Sequence, residues 1–186
     1  MFNQLEIRAF SNDDFESYCR LQLENCWFQS ASLDSIRTAV RKTLSEDNSE
    51  FFSIFIKGTS TYCGNISLHV GPISGNPELG IRLLEDCQNR GIGTAAIVLF
   101  CKYCYTHRGI TKLEIRIDPE NKRSIHVFEK LGAKFRTKQS DYISMLEDLY
   151  NKVGAPLPDN LDDTIGSLHY DLELPLCYLA KRSAIT

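Results

Sequence analysis

The chain has 186 residues, 42% of them hydrophobic and 24% charged, with a formal net charge of −3. That length suits one domain, residues 1–186, whose core buries enough apolar surface to fold without disulfides or metals. The composition excludes a disordered tail, no run approaches the roughly 18 apolar residues of a membrane span, and the acidic balance argues against a broad nucleic-acid surface.

"LEIRAF" (5–10) alternates apolar and polar residues as a strand does. The following "SNDDFESYCRLQLEN" opens on a good N-cap, Ser11, with acids in its first turn. Acids also stand where a secretory signal would carry a basic region and an apolar segment, so this end belongs to the folded body and a cytoplasmic protein is expected. A second helix is predicted from Ser32 to about Glu46, with Leu33, Ile36, Val40 and Leu44 along one side. In the connection between these helices, Trp27 and Phe28 either fill the core or wall an acceptor pocket.

Three β-rich runs follow, "FFSIFIK" (51–57), "YCGNISLHV" (62–70) and "ELGIRLL" (78–84), divided by turn formers. Their short connections make them antiparallel neighbours. Then the period changes: Ile92, Ala95, Ala96, Leu99 and Tyr103 recur at helical spacing until Arg108 and a glycine stop, Gly109. "TKLEIRID" (111–118) reads as a strand, "NKRSIHVFEKL" (121–131) as a helix and "GAKFRTK" (132–138) as a further strand. Residues 140–153 have one apolar helical side, and "LHYDLELPLCYL" (168–179) closes as a strand. The class is α+β, a mixed sheet of about seven strands flanked by helices, with an insertion at 139–167 expected to act as a lid or a homodimer contact.

The seven cysteines, Cys19, Cys26, Cys63, Cys87, Cys101, Cys104 and Cys177, have no framework spacing and read as reduced thiols. Cys101, Cys104 and His107 fan out, because a helix falls about 60° short of a full turn every three residues, so no metal is expected.

The segment "QNRGIGT" (88–94) lies where a strand passes through a turn into a helix. The first N–H groups of such a helix lack partners and carry partial positive charge, a natural cradle for phosphate. Gly91 and Gly93 leave room for an anion and can take positive φ, while Gln88 and Arg90 can add side-chain donors. "GIGTAA" also satisfies a dinucleotide fingerprint, with Asp118 as the acid that follows. That reading, an NAD(P)-dependent oxidoreductase, requires the motif in a first βα turn continued by parallel units, whereas antiparallel strands precede it here.

The order of elements, Gln88 with Gly91 and Gly93, and the downstream "NKRSIHVFEKLGAKF" resemble the GNAT superfamily of acetyl-coenzyme A dependent N-acetyltransferases, closest in flavour to its ribosomal-protein N-terminal, polyamine and aminoglycoside branches. The resemblance covers about residues 5–138. It implies acetyl-CoA as co-substrate and an amine acceptor, a small molecule or a protein N-terminus, attacking directly in a ternary complex. It further implies that the backbone of Gln88, Asn89, Arg90, Gly91, Ile92, Gly93 and Thr94 holds the pyrophosphate, and that the Leu83 N–H meets the thioester carbonyl. The pantetheine arm would insert between the strand of Leu83 and "LEIRID", Asn121 would touch the coenzyme, and Lys122 and Arg123 would reach its 3′-phosphate or remain solvated.

Acyl transfer to an amine of pKa about 10 calls for a base. Glu78 is the first candidate and Glu114 the second. Where many members of the superfamily carry a proton-donating Tyr, this chain has Phe128, which leaves Ser124 or water to protonate the thiolate. Phe128 also keeps open a non-catalytic acyl-CoA-binding sensor or interaction module. His126 reads as a surface or packing residue, and Asp159, Asp162 and Asp163 either attract a cationic amine or form a solvated loop.

Overall fold

A computed structural model describes residues 4–24, 32–46, 49–70, 75–138 and 167–174. Trp27, Phe28, residues 139–166 with their acidic run, and the end of the closing strand lie outside the described residues. The chain divides into two compact units, Met1–Thr111 and Lys112–Thr186.

The first unit is built on four antiparallel strands in the order β1 (Leu5–Ala9), β2 (Glu50–Ile56), β3 (Tyr62–Val70) and β4 (Pro77–Leu83). Period-two alternation gives this sheet two different faces. Phe52, Ile66 and Ile81 are registered across β2, β3 and β4 on one face. Helix α3 (Ile92–Arg108) covers this apolar side, with the Phe100 ring 4.9 Å from Phe52. The opposite face carries Ser53, Asn65, Ser67 and Glu78, all buried. A 3-10 turn (Asn12–Asp14) and α1 (Phe15–Glu24) lie against it, with Tyr18 at 5.9 Å from Phe51. Helix α2 (Leu33–Glu46) runs beside α1, buries Val40 and ties to it through Arg37 and Glu16 at 2.7 Å.

In the second unit β5 (Lys112–Ile117), β7 (Leu168–Glu173) and β6 (Lys134–Lys138) pair antiparallel with β7 in the middle, and the described residues also form a helix, α4 (Lys122–Lys130). The apolar face of these strands holds Leu113, Ile115, Tyr170 and Leu172. Their other face is ionic: Arg136 donates to Glu114 at 2.8 Å and Lys112 pairs with Asp171 at 2.9 Å. All strand pairings described within each unit are antiparallel, and the class is α+β as expected. The opening helix starts later than Ser11 implies: Ser11 precedes the 3-10 turn, its N–H donating to Asp14 at 3.0 Å, and α-geometry begins at Phe15. No described helix is long and apolar enough to cross a membrane.

Candidate functional site

β4 ends at Leu83, a 3-10 turn (Glu85–Cys87) follows, and α3 begins at Ile92. Within this junction Asn89 has φ 55° and Gly91 φ 73°, two left-handed residues on either side of Arg90. Alternation of this kind turns successive N–H groups toward a common point. The first i→i−4 bond of α3 runs from the Ala95 N–H to the Gly91 carbonyl at 3.0 Å. The N–H groups of Ile92, Gly93 and Thr94 therefore precede the helical ladder and carry its positive end. Such a set of donors fits a diphosphate.

The residues of the turn divide the work differently from the sequence expectation. Gly93 does not use positive φ; it lies within the first turn of α3, where a β-carbon would sit 3.3 Å from Leu83 Cδ1. Its lack of a side chain allows helix and strand end to approach, and the second left-handed residue is Asn89, a residue type that tolerates this region. Gln88 and Arg90 brace the loop itself: Gln88 Nε2 donates to the Leu83 carbonyl at 3.0 Å and Arg90 Nη1 to the Asp86 carbonyl at 3.2 Å.

Leu83 is registered with Gly64, and the Leu84 N–H donates to the Cys63 carbonyl at 2.9 Å. Cys63 and Leu84 are thus a hydrogen-bonded pair, so Leu83, one residue earlier, directs its N–H away from β3. That is the orientation a donor to an acyl oxygen needs.

Glu78, 8% exposed, stands near the start of β4 opposite His69. It is five residues before Leu83, about 17 Å of strand at roughly 3.4 Å per residue. Glu114, 2% exposed, is committed to the ion pair with Arg136. In the second unit Asn121 is exposed and caps α4, its Oδ1 accepting from the Ser124 N–H at 3.0 Å. Ser124 is half-buried, Phe128 is buried, and His126 faces solvent. Lys122 donates to the Pro119 carbonyl at 2.6 Å. Cys101 and Cys104 are buried while His107 is exposed and stacks on Tyr103 at 5.2 Å. No group of acidic, His and Cys side chains arranged for a metal occurs among the described residues.

The sequence reading passed over the polar face of β3. His69 Nε2 lies 2.8 Å from Ser67 Oγ and its Nδ1 2.5 Å from Ser49 Oγ. Asn65 Nδ2 donates to the Phe52 carbonyl at 2.9 Å, and Ser53 Oγ to Asp14 at 2.9 Å. The signal was present as polar residues at every second position, Asn65, Ser67 and His69, in an otherwise apolar strand.

Antiparallel strands, the last of which runs through a left-handed turn into the N-terminus of a helix, define an α+β domain with converging N–H donors at that turn. Comparison with known proteins gives the class its name. The chain belongs to the acetyltransferase (GNAT) domain family, whose model matches residues 4–134. It is similar to α/β-tubulin N-acetyltransferase 9 of Mus musculus, 35% identical over 79 residues, 40% of this chain and 32% of that protein. The match to the Homo sapiens protein is 36% identical over 55 residues, 29% of this chain and 27% of that one. These matches span only about a third of the relatives' length. Among solved structures, the fold is shared with the spermidine/spermine N-acetyltransferase SpeG from Vibrio cholerae, at 16% identity over 93% of this chain and 94% of that one, TM-score 0.63. It is likewise shared with FdhC, a nucleotide-linked sugar GNAT, at 14% identity over 98% and 93%, TM-score 0.68. Family membership sets aside the dinucleotide oxidoreductase reading, and the "GIGTAA" motif follows four antiparallel strands instead of opening a parallel unit.

Proposed function

We propose that this chain is an N-acetyltransferase that moves an acetyl group from acetyl-CoA to a primary amine. The observation that carries the reading is the pair of left-handed residues, Asn89 and Gly91, that opens α3 directly behind the end of β4. Bound there, acetyl-CoA would supply the acetyl group as a thioester already activated toward amines. The backbone of residues 88–94 holds the pyrophosphate, with the N–H groups of Ile92, Gly93 and Thr94 carrying the helix's positive end. The Leu83 N–H donates to the acyl oxygen as negative charge builds on it, a preorganised donor whose position the sheet fixes. Glu78 assists the loss of the amine's proton, across a distance that calls for an intervening chain of donors and acceptors.

The acceptor class draws support from relatives whose names specify polyamines in one case and tubulin in another. A panel of spermidine, spermine and peptides with free N-termini therefore comes first. A thiol-release assay on that panel tests turnover. Acetyl-CoA bound without thiol release above background would instead favour a binding module, for which the buried Phe128 speaks, since it cannot supply a proton. Gly91→Val forces a branched side chain into the left-handed region. Calorimetry with acetyl-CoA should show affinity weakened at least tenfold, about 1.4 kcal/mol, and unchanged affinity would refute the cradle.

A further inference from the structure

The buried polar face of β3 and β4 contains a chain of groups that the coenzyme cradle does not use. Ser67 Oγ, His69 and Ser49 Oγ are linked through the two ring nitrogens at 2.8 and 2.5 Å. Gly80 makes the arrangement possible: a β-carbon there would sit 2.7 Å from Ser67 Oγ and 3.3 Å from His69 Nε2. Any other residue would displace the hydroxyl from the imidazole. The inner end of the chain, Ser67, is 6% exposed and lies over Gly80, three residues from Leu83, while Ser49 at the outer end is half-buried. Glu78 and His69 are cross-strand partners on the same face. Phe51 closes the side of the imidazole edge-on, with ring centroids 6.0 Å apart.

A hydroxyl, an imidazole and a second hydroxyl in series have the chemistry of a proton wire, because each can accept on one side while donating on the other. We propose that Ser67, His69 and Ser49 form the path by which the proton of the acceptor amine leaves the buried site, with Glu78 supporting the positive charge on the imidazole. The inference rests on the acetyltransferase reading and extends it. The amine's proton passes to Ser67 Oγ as the Ser67 hydroxyl proton moves to His69 Nε2. The proton on His69 Nδ1 moves to Ser49 Oγ, and the Ser49 hydroxyl proton goes to solvent. One proton crosses and no other bond changes; reorientation of the two hydroxyls and the ring resets the chain. The wire also accounts for the remoteness of Glu78 from Leu83, since Ser67 lies nearer to Leu83 than Glu78 does.

His69→Gln, Ser67→Ala and Ser49→Ala test the path with spermidine, spermine and free-amino peptides as probes. The expected result for His69→Gln is a kcat at least about tenfold lower, within the range removed with a general acid or base. KM for the acceptor and affinity for acetyl-CoA should change less than about twofold. Ser67→Ala should behave similarly, and added imidazole should restore part of the rate to His69→Gly. A purely structural role would instead raise KM or lower the melting temperature and would not respond to imidazole. If the His69 variants fail to fold, the two Ser→Ala variants, each lacking one oxygen, decide the matter. Full kcat in both, or losses in KM alone, would overturn the wire while leaving the acetyltransferase reading intact. Absence of turnover by the wild type on every amine would overturn that reading and the wire together.

Discussion

Asp14 carries several connections on a single side chain. It is 3% exposed and accepts from Arg8 Nη2 at 2.6 Å, the Ser11 N–H at 3.0 Å and Ser53 Oγ at 2.9 Å, pinning the 3-10 turn to the sheet. Asp14→Ala leaves Ser53 buried without its acceptor. It should lower stability by about 2–3 kcal/mol, the cost of an unsatisfied buried group together with a lost charge-assisted bond. In a urea titration this appears as a lower midpoint at unchanged slope. At this scale the sequence was only partly legible. Ser11 announced an N-terminus, yet Asp14's partner lies 39 residues away, and nothing local marks Ser53 as that partner. The same holds in the cradle: "NRGIG" called for left-handed backbone, but the choice of Asn89 over Gly93 depended on how closely α3 approaches Leu83.

Helix α3 shows what an element needs beyond its period. Its spacing of Ile92, Ala95, Ala96 and Leu99 and its stop at Gly109, φ 65°, were readable in advance. The sequence anticipated Cys101 and Cys104 as packed thiols, but not that the buried stripe would take in Phe100, whose ring meets Phe52 of β2. Burial pushes the Cys104 thiol up to about 11, as expected of a thiol packed among apolar neighbours. Phe100 is 1% exposed, and Phe100→Ala should cost about 3–5 kcal/mol in chemical denaturation through lost burial and the cavity left behind. β3 teaches the converse. Its alternation identified a strand, while the buried polar side of that alternation became visible only once α1 and the 3-10 turn were seen to lie against it.

For the molecule as a whole, the ionic face of the second unit predicts how stability responds to pH. His169 is 2% exposed, and burial, followed by the positive charges of Arg136 and Arg116, holds its pKa below the ordinary value of 6.5. The unfolded chain therefore takes up a proton near pH 6.5 that the folded one refuses, so stability rises with pH in that window. The contribution is complete above about pH 6.5 and lost as the pH falls. Melting temperatures measured from pH 8 to 5 should fall more steeply for the wild type than for His169→Gln, and parallel curves would contradict this. By itself the sequence determined the class of the fold, the order of its described elements and the glycine turn between β4 and α3, because periodicity, caps and turn chemistry are local properties of neighbouring residues. Only the tertiary structure decided which polar side chains share a buried face. Strand register brings His69 opposite Glu78 and Ser67 over Gly80, and register is set by packing between segments far apart in the chain.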